Sequence, residues 1–239
     1  MNLSPQERRR YVQGMFTRIA ARYDLMNRVM TFGQDISWRR EVIRRASLQP
    51  GDALLDLGAG TGDLAREALR QQPACTALAA DYTLEMMRIG RARYGHPADW
   101  SGADALNLPF PDKSFDVVVS GYLLRNVIDL PRALSEQYRV LRPGGRIVAL
   151  DTTRPPKNLL SPFINFHMHT VIPLVGRILT GEADAYTYLP DSTAAFLTAE
   201  DLAARLQEAG FRSVGFHRRM LGTMAIHWGR KERHSVFLV

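Results

Sequence analysis

Residues 54–63 read LLDLGAGTGD, a short apolar run followed at once by three glycines spaced two residues apart. The run follows the turn residues Pro50-Gly51-Asp52, so a buried strand is predicted over 53–57. The glycines predict a tight turn into a helix over 63–72. Such a turn lets backbone approach a ligand, and the helix start offers free N–H groups. The unit is typical of a domain that binds a nucleotide-like cofactor.

Two acids near this turn indicate which cofactor. Asp81 ends the next predicted strand, 76–81, where a carboxylate can accept hydrogen bonds from ribose hydroxyls at the carboxyl edge of a parallel sheet. Asp56 stands two residues before Gly58, which is unfavourable beside a pyrophosphate but suits a cationic ligand. The glycine spacing is GxGxG rather than the dinucleotide GxGxxG. S-Adenosylmethionine is therefore favoured over NAD, and a ligand-free tight turn remains the structural alternative.

A third acid follows the third predicted strand, which begins near residue 101. Asp104 can accept from the adenine amino group, while the backbone N–H of Ala105 meets a ring nitrogen. The alternative for Asp104 is a capping role within its own loop.

Strands and helices alternate along the rest of the chain. Further strands are predicted at 116–121, 146–152, 213–219 and 224–231, and helices lie between them. This order predicts an α/β fold with a mainly parallel sheet covered by helices on both faces. We expect a single domain over 1–239, made of a helical segment at 5–47, a cofactor-binding core at 51–152, an insertion at 153–195 and a C-terminal helix with strands at 196–239.

Composition limits the other functions. The single cysteine, Cys75, excludes an internal disulfide and a cysteine zinc site, no metal site is expected, and a reducing cytoplasmic setting fits. The start MNLSPQERRR lacks a secretory apolar region. The apolar stretch 158–181 is interrupted by polar residues and falls short of the ~20 residues of a spanning helix. The net charge of +7 permits a nucleic-acid or anionic-membrane partner, but scattered arginine pairs favour ordinary solvated faces.

The stretch VVVSGYLLRNVID (117–129) places a charged side chain at the mouth of a buried strand. Arg125 and Asn126 follow the three valines closely, and a guanidinium there is costly to desolvate unless it is paired. It either holds a ligand or forms a structural bridge with Asp129 or Asp24.

Several of these stretches together resemble one family. They are DLGAGTGD, DYTLEMMRIGRAR, DALNLPFPDKSFD and LLRNVIDLPRALSEQYRVLRPGGR, with MFTRIAARYDLMNRVMTFGQDISWRR in front and LGTMAIHWGRK near the end. The chain resembles the ubiquinone/menaquinone-biosynthesis C-methyltransferases over about residues 11–231. The YDLMN segment and the LRNV element are the more specific parts of the likeness.

The resemblance implies a class I methyltransferase fold with a seven-stranded sheet, an N-terminal helical lid and a helical insertion after strand five. Phe16, Tyr23 and Asn27 of the lid are expected to face the cofactor. The cofactor-binding residues implied by the sequence and the resemblance are Asp56, Gly58, Gly60, Thr61, Gly62, Asp81, Tyr82, Asp104, Ala105, Ser120 and Gly121. Departures from the family pattern at Thr83 and Leu123 bear on the preferred head group rather than on the reaction.

The implied reaction transfers methyl from S-adenosylmethionine to a ring carbon of a demethylated prenylated quinol, with the menaquinone pathway favoured over the ubiquinone pathway. A ring carbon attacks well when its neighbouring hydroxyl is ionised. We expect Arg125 to stabilise that oxyanion and Asn126 to orient it. Base candidates are water or a side chain among His167, His169, Tyr186 and Tyr188.

Three other functions remain open from the sequence. The first is methylation of another small aromatic metabolite. The second is nucleic-acid methylation, which we do not expect because an NPPY run and a second cysteine are absent. The third is cofactor binding without catalysis. We expect a cytoplasmic enzyme that makes transient contact with the inner face of the membrane, where the 158–181 stretch accepts a prenyl tail or touches lipid.

Overall fold

The structure is a computed structural model and describes residues 4–94, 98–155, 159, 161–180 and 183–233. The strands are β1 (Ala53–Leu57), β2 (Thr76–Asp81), β3 (Asp99–Gly102), β4 (Phe115–Gly121), β5 (Leu141–Thr152), β6 (Arg212–Arg219) and β7 (Met224–Arg230). The α-helices are α1 (Pro5–Ile19), α2 (Tyr23–Met30), α3 (Gln34–Ala46), α4 (Asp63–Gln71), α5 (Leu84–Tyr94), α6 (Leu130–Val140), α7 (Ser161–Phe166), α8 (Ile172–Thr180), α9 (Ala183–Ala195) and α10 (Ala199–Glu208).

The described strands form one seven-stranded sheet in the order β3-β2-β1-β4-β5-β7-β6. Strands β1 to β5 pair in parallel, and β7 runs antiparallel to both of its neighbours. The predicted class I architecture is therefore confirmed. Because β1 pairs with β2 on one side and β4 on the other, the chain order reverses at β1, which is where ligands bind in open α/β sheets.

Each face of the sheet buries its own apolar cluster, because successive strand residues point to opposite faces. Leu55 and Leu57 of β1 pack on the side that carries α6 and α10. Leu54 packs on the opposite side, where Trp38 of α3 and Leu64 of α4 close the layer. This alternation decides which side chains of β1 reach the cofactor edge.

The front segment is helical, as predicted, but it divides into three helices. α1 begins with a capping box between Ser4 and Glu7. A 3-10 turn then separates α1 from α2, and Gly33, with a φ of 74°, separates α2 from α3. A small cluster of Met15, Ile19, Met26 and Ile172 packs α1 and α2 against α8, so the lid and the insertion form one layer.

The largest boundary difference is at β5. The strand predicted at 146–152 begins at Leu141, directly after α6 ends at Val140. The early start of β5 is explained by the pairing of Leu141 with Phe115 across a register shift in β4. Among the described helices, none is long and apolar enough to cross a membrane.

Candidate active site

A cavity opens at the carboxyl edge of the sheet, beneath α1. It encloses about 880 Å³ of empty space, counted out to its open mouth. The lid, the glycine turn and the ends of the strands form its walls, with Arg9, Val12, Gln13, Phe16, Tyr23, Gly58, Gly60, Asp81, Tyr82, Met86, Asp104, Ala105, Gly121, Tyr122, Leu123 and Asn126 among the lining residues. Most of the predicted cofactor residues thus meet in one place.

Asp81 organises the glycine turn. Its Oδ2 accepts from the Gly60 N–H at 2.8 Å, and its Oδ1 accepts from the Thr83 N–H at 2.6 Å. Burial raises the pKa of Asp81, while these backbone donors oppose the rise. Asp81 lines the cavity, where its carboxylate oxygens can accept from a diol.

The glycines are required by geometry. Gly58 has a φ of 69°, and a Cβ there would lie 2.9 Å from Leu123 Cδ1. Gly62 has a φ of 82°, and a Cβ there would lie 2.7 Å from Trp100 Cη2. A side chain at either position would strain the backbone and displace its neighbour, which for Gly58 is the cavity-lining Leu123.

One side of the cavity combines Asp104 with aromatic surface. Asp104 Oδ1 accepts from the Leu106 N–H at 3.0 Å, which is the loop-capping role left open by the sequence, and the residue also lines the cavity. Arg9 Nη2 lies 2.5 Å from Asp104 Oδ2, and the Arg9 guanidinium carbon lies 4.3 Å from the centroid of the Tyr82 ring. Sequence reasoning missed Arg9. The signal was its helical spacing with Val12 and Phe16.

Asp56 is not among the residues that line the cavity. It is buried, its Oδ2 accepts from the Ala65 N–H in the first turn of α4 at 2.9 Å, and desolvation raises its pKa to about 7. Because it shares a sheet face with Leu54, its carboxyl lies under α4. This placement corrects the expected contact with the cofactor's cation.

Thr61, Gly62 and Ser120 are also outside the cavity lining. Thr61 is buried and donates to Asp24 Oδ1 at 3.0 Å. Ser120 Oγ is buried without a partner among the described residues. The hydrogen bond from Thr61 to Asp24 therefore joins the glycine turn to the lid.

Arg125 is buried next to the lining residue Asn126 but is not itself among the residues that line the cavity, and its partner is neither of the two that the sequence suggested. Its Nη1 donates to Asp151 Oδ1 at 2.8 Å, whereas Asp129 caps α6 through the Arg132 N–H and Asp24 pairs with Arg93. The Asp151 charge raises the pKa of Arg125 against the effect of desolvation. The guanidinium is fixed and cationic.

Asn126 lines the cavity next to Arg125. Its Nδ2 donates to the Tyr122 carbonyl at 2.8 Å, and its Oδ1 accepts from the Tyr188 hydroxyl at 3.2 Å. Tyr122 has a φ of 61°, an uncommon conformation for a bulky residue. The segment after β4 is thus held in a specific shape at the cavity wall.

The remaining predicted side chains are distributed around this centre. Phe16 and Tyr23 line the cavity as expected of the lid, whereas Asn27 is buried outside the lining. The His167 ring stacks on the Phe32 ring, and the two ring centroids lie 5.7 Å apart. The side chains of His169 and Tyr186 lie outside the described part of the structure.

Residues 4–231 match the model of the ubiE/COQ5 methyltransferase family. The chain belongs to this family. A similar curated protein is the ubiquinone/menaquinone biosynthesis C-methyltransferase UbiE of Desulfotalea psychrophila, 47% identical over 92% of this chain and 90% of that protein. Another is the demethylmenaquinone methyltransferase of Roseiflexus castenholzii, 40% identical over 95% of this chain and 96% of that protein.

Solved structures share the fold at low sequence identity. The [4+2]-cyclase SpnF superposes with a TM-score of 0.68 at 19% identity, covering 96% of this chain and 97% of its own. A Haemonchus contortus phosphoethanolamine N-methyltransferase in complex with S-adenosyl-L-methionine gives 0.64 at 14% identity, covering 82% of this chain and 53% of its own. This member of the ubiE/COQ5 family is an S-adenosylmethionine-dependent methyltransferase, and its acids and glycine turn fit that cofactor.

Proposed function

We propose that the protein methylates a ring carbon of a demethylated prenylated quinol, converting demethylmenaquinol to menaquinol. The observation that carries the proposal is the buried, fixed cation of Arg125, which adjoins the cavity-lining residues Tyr122 and Asn126. The names of the similar curated proteins support the same substrate class.

We assign the cofactor to the half of the cavity formed by Asp81, Tyr82 and Asp104. Asp81 accepts from the ribose hydroxyls, Asp104 faces the adenine amino group, and the glycine turn admits the rest of the molecule. S-Adenosylmethionine supplies an electrophilic methyl group and needs no metal partner. The chain's task is therefore orientation, which can contribute roughly 7–11 kcal/mol to a barrier.

We assign the acceptor ring to the wall formed by Tyr122, Leu123 and Asn126. A ring carbon becomes nucleophilic when the hydroxyl next to it loses its proton. A guanidinium close to that oxygen lowers the pKa of the hydroxyl and stabilises the phenolate. Asp151 is the positioning residue in this scheme, because it holds both the Nη1 and the backbone N–H of Arg125.

The proton leaves without a dedicated protein base in this proposal. Among the predicted candidates with described side chains, neither His167 nor Tyr188 lines the cavity, although the Tyr188 hydroxyl donates to the lining residue Asn126. We infer that water at the cavity mouth accepts the hydroxyl proton while Arg125 supplies the charge that makes this ionisation favourable. After methyl transfer the ring carbon loses its hydrogen as a proton and the ring oxygen regains one, which restores the aromatic quinol and leaves S-adenosylhomocysteine.

We further propose that the lid and insertion contact the membrane that holds the prenylated substrate. Phe32 is 73% exposed at the end of α2. Other exposed apolar side chains in the described part of these helices include Leu25, Val29, Phe163, Phe166 and Leu174. Arg28 and Arg177 are exposed on α2 and α8, and such a mixture suits an anionic lipid surface.

Lipid vesicles test this contact. We expect Phe32→Ser with Phe163→Ser to reduce cosedimentation with phosphatidylglycerol vesicles severalfold. Leu221→Ser, at an equally exposed leucine on the β6–β7 connection, should bind as the parent does. If the parent and both variants bind the vesicles equally, the proposed membrane contact is wrong, while the proposed reaction is unaffected.

A product assay tests the reaction. The protein is incubated with methyl-labelled S-adenosylmethionine and, separately, a reduced demethylated naphthoquinone and a reduced demethylated benzoquinone, and the products are fragmented by mass spectrometry. We expect label on a ring carbon of the naphthoquinol. Label on oxygen, or transfer to neither quinol, would overturn the proposal, and transfer to the benzoquinol alone would reassign the pathway.

A further inference from the structure

One face of α1 forms the roof of the cavity. Its lining residues are Arg9, Val12, Gln13 and Phe16, which follow the i, i+3, i+4, i+7 spacing of a single helix face. A ligand beneath this face therefore enters and leaves the cavity either around the side of α1 or after α1 has moved.

The first turn of α1 is attached to the sheet at two separate places. Arg8 Nη2 donates to the Arg125 carbonyl at 3.2 Å, after β4, while Arg9 Nη2 donates to Asp104 Oδ2 at 2.5 Å, after β3. In the sheet order, β3 and β4 are three steps apart, which is roughly 14 Å at about 4.8 Å per step. The two arginines thus hold the start of α1 across the end of β1, where the glycine turn lies.

Arg9 makes a second contact at the same end. Its guanidinium carbon lies 4.3 Å from the centroid of the Tyr82 ring, a cation–π arrangement. Tyr82 and Asp104 both line the cavity. A single lid side chain therefore joins an aromatic ring and a carboxylate of the adenine side.

We propose that Arg9 is the gating residue of the cofactor site and that release of its contacts with Asp104 and Tyr82 limits how fast the cofactor and its product exchange. The inference rests on the assignment of this cavity to the cofactor. It gives the N-terminal lid a defined point of opening, at the start of α1.

The burial of the lid contacts explains why the opening occurs at this end. The Arg9 and Asp104 side chains are 35% and 29% exposed, so water and salt screen the pair and it breaks readily. At the other end of the lid, Asp24 is buried and accepts from both Thr61 and Arg93. The contacts of Asp24 therefore persist, whereas the contacts of Arg9 break and re-form.

The expected size of the effect follows from these contacts. An exposed ion pair and an exposed cation–π contact each contribute only a modest free energy. Removing both should speed cofactor release roughly 5- to 30-fold. Entry should accelerate by a similar factor, so the equilibrium dissociation constant changes little.

The experiment is surface plasmon resonance of S-adenosylhomocysteine on the immobilised full chain. Arg9→Gln should raise both rate constants, and Arg9→Lys, which keeps the charge but loses the planar group over Tyr82, should lie between it and the parent. Arg10→Gln removes the same charge from the next, exposed residue of α1 and should match the parent.

Salt distinguishes gating from a merely structural role. Raising the ionic strength should speed release from the parent and leave Arg9→Gln nearly unchanged, because only the parent has a pair to screen. Unaltered release rates in a folded Arg9→Gln protein, or equal salt dependence in both proteins, would overturn the gating role. Failure of the parent itself to bind S-adenosylhomocysteine would instead contradict the assignment of the cavity.

Discussion

Arg125 Nη1 and Asp151 Oδ1 lie 2.8 Å apart with both side chains buried, 7% and 1% exposed. Asp151 Oδ2 also accepts from the Arg125 backbone N–H at 3.3 Å. One carboxylate therefore fixes both the main chain and the guanidinium of the residue after β4. The guanidinium carbon of this fixed residue lies 5.3 Å from the centroid of the Tyr122 ring, which lines the cavity.

Replacing Asp151 tests how much this buried pair contributes to the stability of the fold. Asp151→Asn leaves a buried guanidinium without its counter-charge, so we expect the free energy of unfolding to fall by about 3–5 kcal/mol. Asp129→Asn is the matched control. Asp129 is a helix cap, and because asparagine caps about as well as aspartate, urea unfolding should barely change. A loss below about 1 kcal/mol in Asp151→Asn would mean that Arg125 is not held as described.

Asp81 should control cofactor affinity. Asp81→Asn places an amide donor against one of the Gly60 and Thr83 N–H groups and removes the charge facing the ribose. We expect S-adenosylhomocysteine to bind roughly 10- to 100-fold more weakly by calorimetry, the range of a lost charge-assisted bond. Asp99→Asn, at an exposed position on β3, should bind as the parent does. Unchanged affinity in Asp81→Asn would show that the ribose does not bind at Asp81.

Asp56 should make stability depend on pH. Its folded pKa of about 7 lies above the usual value of 3.8 because the carboxyl is desolvated. The folded state therefore keeps its proton between about pH 4 and 7 while the unfolded chain loses it. The free energy of unfolding should accordingly fall as pH rises through that window, by about 4 kcal/mol at most.

The neutral variant isolates this contribution. Asp56→Asn can still accept from the Ala65 N–H but does not ionise, so it should unfold like the parent near pH 4 and be the more stable protein at pH 8. Parallel urea titrations of both proteins cancel all other titrating groups. A parent-minus-variant difference that does not vary with pH would show that Asp56 ionises normally.

Two helical glycines should respond oppositely to alanine. A Cβ at Gly90 of α5 would lie 2.5 Å from the Thr61 carbonyl oxygen, whereas one at Gly14 of α1 meets nothing closer than Arg18 Nη1 at 3.7 Å. Gly90→Ala should therefore destabilise by about 1–3 kcal/mol through overpacking. Gly14→Ala should stabilise by up to about 1 kcal/mol through helix propensity. Thermal unfolding of both variants measures the difference, and a stabilised Gly90→Ala would contradict the close contact between α5 and the glycine turn.

Local patterns predicted which residues lie at the carboxyl edge of the sheet. The strand β1 and its glycine turn depend on short-range spacing, and Asp81 and Asp104 follow from the rule that parallel strands end at a common edge. The same logic failed for Asp56, because closeness in sequence to Gly58 does not determine the side of the sheet. Strand alternation places Asp56 on the face of Leu54, under α4.

The partner of Arg125 required information that the sequence does not carry locally. Asp151 is 26 residues away and reaches Arg125 because β4 and β5 pair with Gly121 opposite Leu150. A one-residue change of register would turn Asp151 to the other face. Arg9 was missed for a related reason, since the contact of α1 with Asp104 spans 95 residues and depends on how the lid packs.

The most direct test of the central claim is the rate of methyl transfer in a protein whose Arg125 charge has been removed without leaving Asp151 alone. The double variant Arg125→Gln/Asp151→Asn neutralises both members of the buried pair, and S-adenosylhomocysteine affinity is measured on the same sample. We expect the single-turnover rate with the reduced demethylated naphthoquinone to fall at least about 100-fold, with cofactor affinity within about twofold of the parent. A folded double variant that transfers methyl at the parental rate would contradict the role of Arg125 in the reaction.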